Sequence, residues 1–103
     1  MYIAMNRFKV LPGAEAEFEE VWRSRDSRLG EMPGFVEFHL LKGPTSDDHT
    51  PYASHTVWKT YEACENWTKS VQFRAAHGRT GSSKPLTTGH PNFEGFHVVD
   101  DVA

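Results

Sequence analysis

Three residues of this 103-residue chain stand out for the chemistry they could support: His77, Asn6 and Trp67. His77 comes at the end of a predicted helix, directly before Gly78, where its ring could face a cavity between that helix and a sheet. A neutral imidazole is a good metal ligand and a common axial ligand of porphyrin iron. The same position also suits a histidine that caps helix carbonyls or interacts with the helix dipole. Position alone leaves both interpretations open.

Asn6 is a polar residue on an otherwise apolar strand face. Residues Tyr2 to Val10 alternate with a period of two, so Asn6 points the same way as Ala4 and Phe8. A buried amide needs a hydrogen-bond partner, and neighbouring backbone, a trapped water or a bound ligand can supply one. Asn6 is therefore a candidate ligand contact.

Trp67 precedes His77 by ten residues on the predicted second helix. On an unbroken helix, at about 100° per residue, the two side chains would point about 80° apart. We therefore predict a bend near Ser70, which would let both face one pocket. The alternative is that Trp67 simply fills the core.

The sequence lacks the motifs of several other kinds of functional site. Cys64 is the only cysteine, which excludes an internal disulfide and a cysteine metal cluster, and we expect it to be a buried apolar residue. The six histidines include no H-E-x-x-H pair. Neither a serine nucleophile elbow nor a glycine-rich phosphate loop is present.

Charge and hydropathy limit the partners and the location. The net charge of −3 comes from scattered residues without a basic block, so we do not expect nucleic acid binding. No apolar stretch approaches the roughly 20 residues that span a bilayer, and the first ten residues alternate instead of forming a signal-peptide core. We expect a cytoplasmic protein without a membrane segment.

The predicted elements follow the order βαββαβ. A first helix is predicted from Ala14 along an apolar stripe to Leu29, and a second from an N-cap at Thr60 to His77. The strands are predicted at residues 2–10, 35 to about 42, 52 to about 59 and 93 to about 99, with a long loop at 78–92 that has little to pack. This order is typical of a ferredoxin-like α+β fold, with one antiparallel sheet and both helices on one face, in a single domain of residues 1–103.

A modest core predicts self-association. Hydrophobic residues make up 38% of the chain, and the second sheet face would be bare in a monomer. We therefore expect a homodimer in which this face is covered, forming a dimeric α+β barrel.

The chain resembles the antibiotic-biosynthesis monooxygenase superfamily, and within it the IsdG-type haem-degrading monooxygenases. The similarity spans about Tyr2 to Val99. It is carried by Ala4-Met5-Asn6-Arg7-Phe8, Gly13, Pro33-Gly34-Phe35, Thr56-Val57-Trp58, Trp67-Thr68-Lys69-Ser70 and Phe73-Arg74-Ala75-Ala76-His77.

The resemblance implies a role for each of the three residues. It makes His77 the proximal iron ligand, brings Asn6 to the distal side of the haem, and places Trp67 against the porphyrin so that the ring is bent. It also implies that haem is both the substrate and the cofactor that activates dioxygen. Electrons would come from a reductase or a small-molecule reductant, and the products would include free iron.

Some assignments remain open at this point. Arg74, Arg79 and Lys84 are candidates to pair with the haem propionates, although solvated surface charges explain them equally well. Residues 79–85 are expected to cover the pocket. A haem carrier or sensor without turnover, and a cofactor-free quinol monooxygenase, are the alternative functions.

Overall fold

The computed structural model describes residues 1–25, 28–70 and 86–102. Within these ranges the predicted order of strands and helices is confirmed. The elements are β1 (Tyr2–Val10), α1 (Glu15–Ser24), a 3-10 turn (Leu29–Glu31), β2 (Phe35–Lys42), β3 (Thr50–Trp58), α2 (Tyr61–Thr68) and β4 (Asn92–His97). None of the described helices is long and apolar enough to cross a membrane.

The strands form one antiparallel sheet in the order β2-β3-β1-β4. The central pair, β1 and β3, runs in unbroken register from Tyr2 opposite Trp58 to Val10 opposite Thr50. Because strand side chains alternate, the even-numbered residues of both strands share the face that the helices cover. This is the ferredoxin-like α+β arrangement predicted from the sequence.

Two apolar clusters fill the space between helices and sheet. The first has seven buried members: Tyr2, Ala4, Leu29, Trp58, Ala63, Cys64 and Trp67. The second consists of Val10, Phe18, Tyr52 and Leu86. Cys64 is buried as predicted, and desolvation raises the pKa of its thiol, so it stays protonated near neutral pH.

The first helix is shorter than predicted. α1 ends at Ser24, and the backbone of Arg25 is already extended, with φ −76° and ψ 127°. Leu29 is not on the helix but is buried in the 3-10 turn. Serine and aspartate favour local side-chain hydrogen bonds over continued helix, and the sequence after Trp22 is rich in such residues.

The second helix begins as predicted. The Oγ1 atom of Thr60 accepts a hydrogen bond from the Ala63 N–H at 3.1 Å, which confirms the N-cap. α2 ends at Thr68, and the Ser70 N–H and hydroxyl both donate to the Trp67 carbonyl, at 3.0 and 2.7 Å. The helix therefore ends close to the predicted bend, and the predicted continuation to His77 lies outside the described residues.

The end of the predicted long loop is packed, which corrects the expectation that residues 78–92 carry little to bury. Leu86 is buried, and its carbonyl accepts the Leu11 N–H at 2.9 Å. Thr87 forms a β-bridge with Val10, and the Thr88 N–H donates to the Lys9 carbonyl at 2.9 Å. One apolar side chain in a polar segment is enough to dock it on the end of β1.

Two hydrogen bonds join α1 to β3. The Thr50 hydroxyl donates to Glu15 Oε2 at 2.9 Å, and the Tyr52 hydroxyl donates to Glu19 Oε2 at 2.5 Å. Burial and the neighbouring Glu19 carboxylate raise the pKa of Tyr52, so its hydroxyl keeps its proton near neutral pH. These bonds position the face of α1 that carries Trp22.

Replacing Tyr52 by phenylalanine should make stability less dependent on acid pH. The hydrogen bond from Tyr52 is the main cause that lowers the pKa of Glu19 below its ordinary value of 4.5. A carboxyl group with a lowered folded-state pKa stabilises the fold above pH 4.5, and this contribution is lost as pH falls through the lowered pKa. Tyr52→Phe should lower the urea midpoint at neutral pH and flatten its acid dependence. An equal loss of stability at every pH would contradict this.

Gly34 lies in the predicted Pro33-Gly34 turn, and adding a side chain there should destabilise the fold. Its φ is +85°, and an added Cβ would lie 2.6 Å from the Ala63 Cβ. Gly13 has the same φ of +85° but open space around it, so it isolates the backbone effect. Gly13→Ala should cost roughly 1–2 kcal/mol, and Gly34→Ala roughly 1–3 kcal/mol more because of overpacking. Equal losses in chemical denaturation would show that α2 moves away freely.

Candidate functional site

A cavity of about 610 Å³ lies between the sheet and the two helices. This volume falls within the range of roughly 300–1,000 Å³ that is typical of small-molecule and cofactor sites. Its walls are rich in aromatic side chains, contributed by all four strands and both helices: Phe8, Phe18, Trp22, Phe38, Trp58, Trp67 and Phe93. Such a lining suits a flat, largely apolar ligand.

Asn6 lines this cavity from the sheet side, together with Ala4 and Phe8, as the strand alternation predicted. It is held between Ser54 on β3 and Phe93 on β4. Its side chain has no hydrogen-bond partner among the described residues. The amide is therefore free to bind a group inside the cavity.

Trp67 lines the same cavity from the helix side. It is 7% exposed, and its ring lies 6.4 Å from that of Trp58, centroid to centroid, with the planes 34° apart. Trp58 is fully buried and supports the Trp67 ring from the sheet side. The fold thus brings Asn6 and Trp67, which are far apart in the chain, to one cavity.

The structure does not place the other predicted site residues. His77 and Arg74 lie outside the described residues, as do Arg79 and Lys84. Their roles stay predictions. In the described part of the chain, no group of three or more histidine, cysteine, aspartate or glutamate side chains could hold a metal ion.

Arg25 is a cavity residue to which the sequence analysis gave no function. It is the one charged side chain among the described residues that line the cavity. Its guanidinium carbon lies 4.2 Å from the centroid of the Trp22 ring, and desolvation lowers its pKa, although an arginine stays charged. A basic residue on the apolar stripe of the predicted first helix, three residues after a tryptophan, is the signal that could have identified it.

The wall around Arg25 is a stack of aromatic rings. Trp22 and Phe38 stack with their planes 20° apart and their centroids separated by 5.8 Å. Phe8 meets both Phe18 and Trp22 in edge contacts. The α1 side of the cavity is therefore aromatic and apolar, and Arg25 is the one charged side chain at its end among the described residues.

Comparison with protein families shows to which family the chain belongs. The profile of the Antibiotic biosynthesis monooxygenase family matches residues 1–79, which is well over half of the chain. The chain belongs to this family. The resemblance inferred from the sequence is thereby confirmed.

Two relatives act on haem according to their names. A haem oxygenase of Mycobacterium tuberculosis, described as mycobilin-producing, is 30% identical over 100 residues, covering 97% of this chain and 90% of that protein. A haem-degrading monooxygenase of Listeria welshimeri is 35% identical over 57 residues, covering 54% of this chain and 47% of that protein. The match spans about half the length of the Listeria relatives.

Solved structures with this family's fold include both haem-binding and cofactor-independent proteins. The haem-degrader MhuD of Mycobacterium tuberculosis, with two haems bound in its active site, superposes with a TM-score of 0.75 at 29% identity, over 100% of both chains. SnoaB, a cofactor-independent oxygenase of Streptomyces nogalater, superposes with a TM-score of 0.65 at 26% identity, over 98% of this chain and 95% of that one. The fold alone therefore does not distinguish the two chemistries.

Proposed function

We propose that this protein is a monooxygenase that degrades haem. It uses dioxygen and electrons from an external donor to open the porphyrin ring and release iron. The observation that carries the proposal is the convergence of Asn6 and Trp67 on one apolar cavity of about 610 Å³. It occurs in a chain that is 30% identical, over 97% of its length, to a haem oxygenase.

The residues of the cavity fit haem. The porphyrin is a flat apolar ring with two carboxylates at one edge, and the cavity has aromatic walls, including the stacked Trp22 and Phe38, with Arg25 just after α1. A guanidinium can pair with a propionate in two parallel hydrogen bonds. Arg25 thus joins Arg74, Arg79 and Lys84 as a candidate partner of the propionates.

Each of the three named residues has a distinct task in this proposal. Haem would supply the iron chemistry that activates dioxygen, and His77 would be the ligand of that iron. Asn6 donates its amide N–H from the sheet side, where its backbone is fixed by pairing with β3 and β4. The Trp67 indole would press on the ring, with the fully buried Trp58 beside it.

Haem titration followed by reduction tests the proposal. Ferric haem should give a saturable Soret shift, and ascorbate in air should then remove the Soret band while ferrozine captures the released ferrous iron. Catalase is included so that free peroxide does not degrade the haem, and haem with ascorbate alone is the control. A Soret band that persists in the complex would instead indicate a haem carrier or sensor.

A cofactor-free quinol monooxygenase is the second candidate, favoured by the similarity to SnoaB. The uncharged polar groups on the cavity floor, Asn6, Ser54 and Thr56, suit the oxygens of a quinol. The protein should then fail to shift the Soret band and should consume oxygen with a dihydroxynaphthalene. These outcomes are opposite to those expected of a haem-degrading enzyme.

We further propose that the open sheet face forms a homodimer interface. This face carries exposed apolar side chains, including Leu41 at 43% and Phe96 at 48% exposure. Light scattering should report a dimer, and Phe96→Glu should shift it towards the monomer because a charge there would be desolvated. Val102→Glu, at a position that is already 76% exposed, is the control that should leave the dimer intact. A monomeric wild-type protein would disprove this assembly.

A further inference from the structure

Asn6 has two hydroxyl neighbours on the floor of the cavity. Ser54 is its direct cross-strand partner on β3, and Thr56 is two residues further along the same strand, opposite Ala4. All three polar side chains line the cavity. Directly opposed residues have Cβ atoms about 4.5–5.5 Å apart, so a single oxygen atom can bridge the Asn6 amide and the Ser54 hydroxyl.

Ser54 is buried, whereas Asn6 and Thr56 are half-buried at the cavity surface. Ser54 is only 5% exposed, and among the described residues neither it, Asn6 nor Thr56 has a side-chain hydrogen-bond partner. Unpaired polar groups in an apolar site are destabilising, and buried polar groups are normally satisfied. Three adjacent polar groups on the cavity floor, without a protein partner among the described residues, are therefore available to hydrogen-bond the contents of the cavity.

The chemistry of the three groups selects an uncharged oxygen. An amide and two hydroxyls can each donate and accept, and Phe8 and Phe38 beside them are apolar. The one charged group among the described lining residues, Arg25, directly follows α1 and is not part of the sheet. A carboxylate is therefore better placed near Arg25, whereas a water, phenol or quinone oxygen suits the floor.

We propose that Asn6, Ser54 and Thr56 form an oxygen-binding subsite, the oxygen patch, in which Ser54 positions the Asn6 amide through the oxygen atom that bridges the two side chains. The proposal rests on the proposed function in one respect, that the cavity is where substrate binds. The occupant is a neutral oxygen, either of an ordered water beside the substrate or of the substrate itself.

The apoprotein tests the positioning role without substrate, because a water molecule can be the bridging oxygen. The side-chain amide resonances of Asn6, assigned with Asn6→Asp, should shift in Ser54→Ala and return towards their wild-type positions in Ser54→Thr, which restores a hydroxyl. Thr88→Val, which removes an exposed hydroxyl elsewhere, should leave them in place. Unchanged Asn6 resonances in Ser54→Ala would overturn the positioning role.

Binding measurements distinguish the two sources of oxygen. Naphthoquinone and naphthalene share a ring system, but only the quinone carries oxygens. If the patch binds a substrate oxygen, the ratio of quinone affinity to naphthalene affinity should be about five-fold lower in the double variant Ser54→Ala, Thr56→Val than in the wild type. Such a change is the usual effect of one neutral hydrogen bond. Naphthalene affinity should stay the same.

If the patch binds water, the quinone preference should persist while haem turnover slows at unchanged haem affinity. Water cross-peaks to the Asn6 amide should then disappear in the double variant. A double variant that matches the wild type in quinone preference, water cross-peaks and turnover would overturn the oxygen patch. Absence of haem binding would defeat the proposed function alone, because the amide and quinone measurements do not use haem.

Discussion

Replacing His77 by alanine is expected to abolish the saturable Soret shift that haem titration of the wild-type protein produces. The proposed bond from its imidazole to the iron is the only covalent link between protein and haem in this scheme. Loss of an outer partner of a metal ligand typically costs about 10–100-fold in affinity, and loss of the ligand itself should cost at least as much. Absorption spectroscopy over a haem titration measures both the band position and the affinity.

Two further samples make this result specific. His90→Ala removes an exposed histidine that does not line the cavity, and it should bind haem like the wild type. Free imidazole added to His77→Ala should bind the iron in place of the missing side chain and restore the wild-type Soret position. If His77→Ala and the wild type gave the same spectra and affinity, His77 would have no part in the mechanism.

Replacing Asn6 by alanine should preserve haem binding and slow ring opening. The amide lies on the sheet side of the cavity without a partner in the described part of the chain, so its removal leaves the fold and the helix side unaltered. Removing one preorganised donor from a reaction centre typically costs roughly 100-fold in rate. The measurement is single-turnover loss of the Soret band after addition of ascorbate in air.

Asn66→Ala is the matched control for this experiment. Asn66 is the same residue type, exposed on α2 beside Trp67, and it is not part of the cavity wall. Its turnover should equal that of the wild type. Equal turnover in Asn6→Ala and Asn66→Ala would mean that the sheet-side amide does not act on the reaction.

Local sequence patterns predicted much of the framework that positions the site. The alternation from Tyr2 to Val10 correctly assigned Asn6 to the face that carries Ala4 and Phe8, because side-chain direction in a strand depends only on position. Thr60 correctly marked the start of α2, because an N-cap is formed within one helical turn. The order of elements then restricted the topology to a ferredoxin-like sheet.

Other features depend on contacts between distant parts of the chain. The register that places Asn6 opposite Ser54 is set by the whole length of β1 and β3. The oxygen patch therefore cannot be predicted from the sequence of either strand alone. The burial of Leu29 in a separate turn follows from packing in the first apolar cluster, which the helical period could not predict.

The sequence by itself determined the fold class, the family resemblance and the candidate residues Asn6, Trp67 and His77. Only the tertiary structure decided that Asn6 and Trp67 share one cavity and that Arg25 supplies its charge among the described lining residues. The physical reason is that periodicity and capping are local, whereas a cavity is enclosed by residues that meet only after the sheet has assembled.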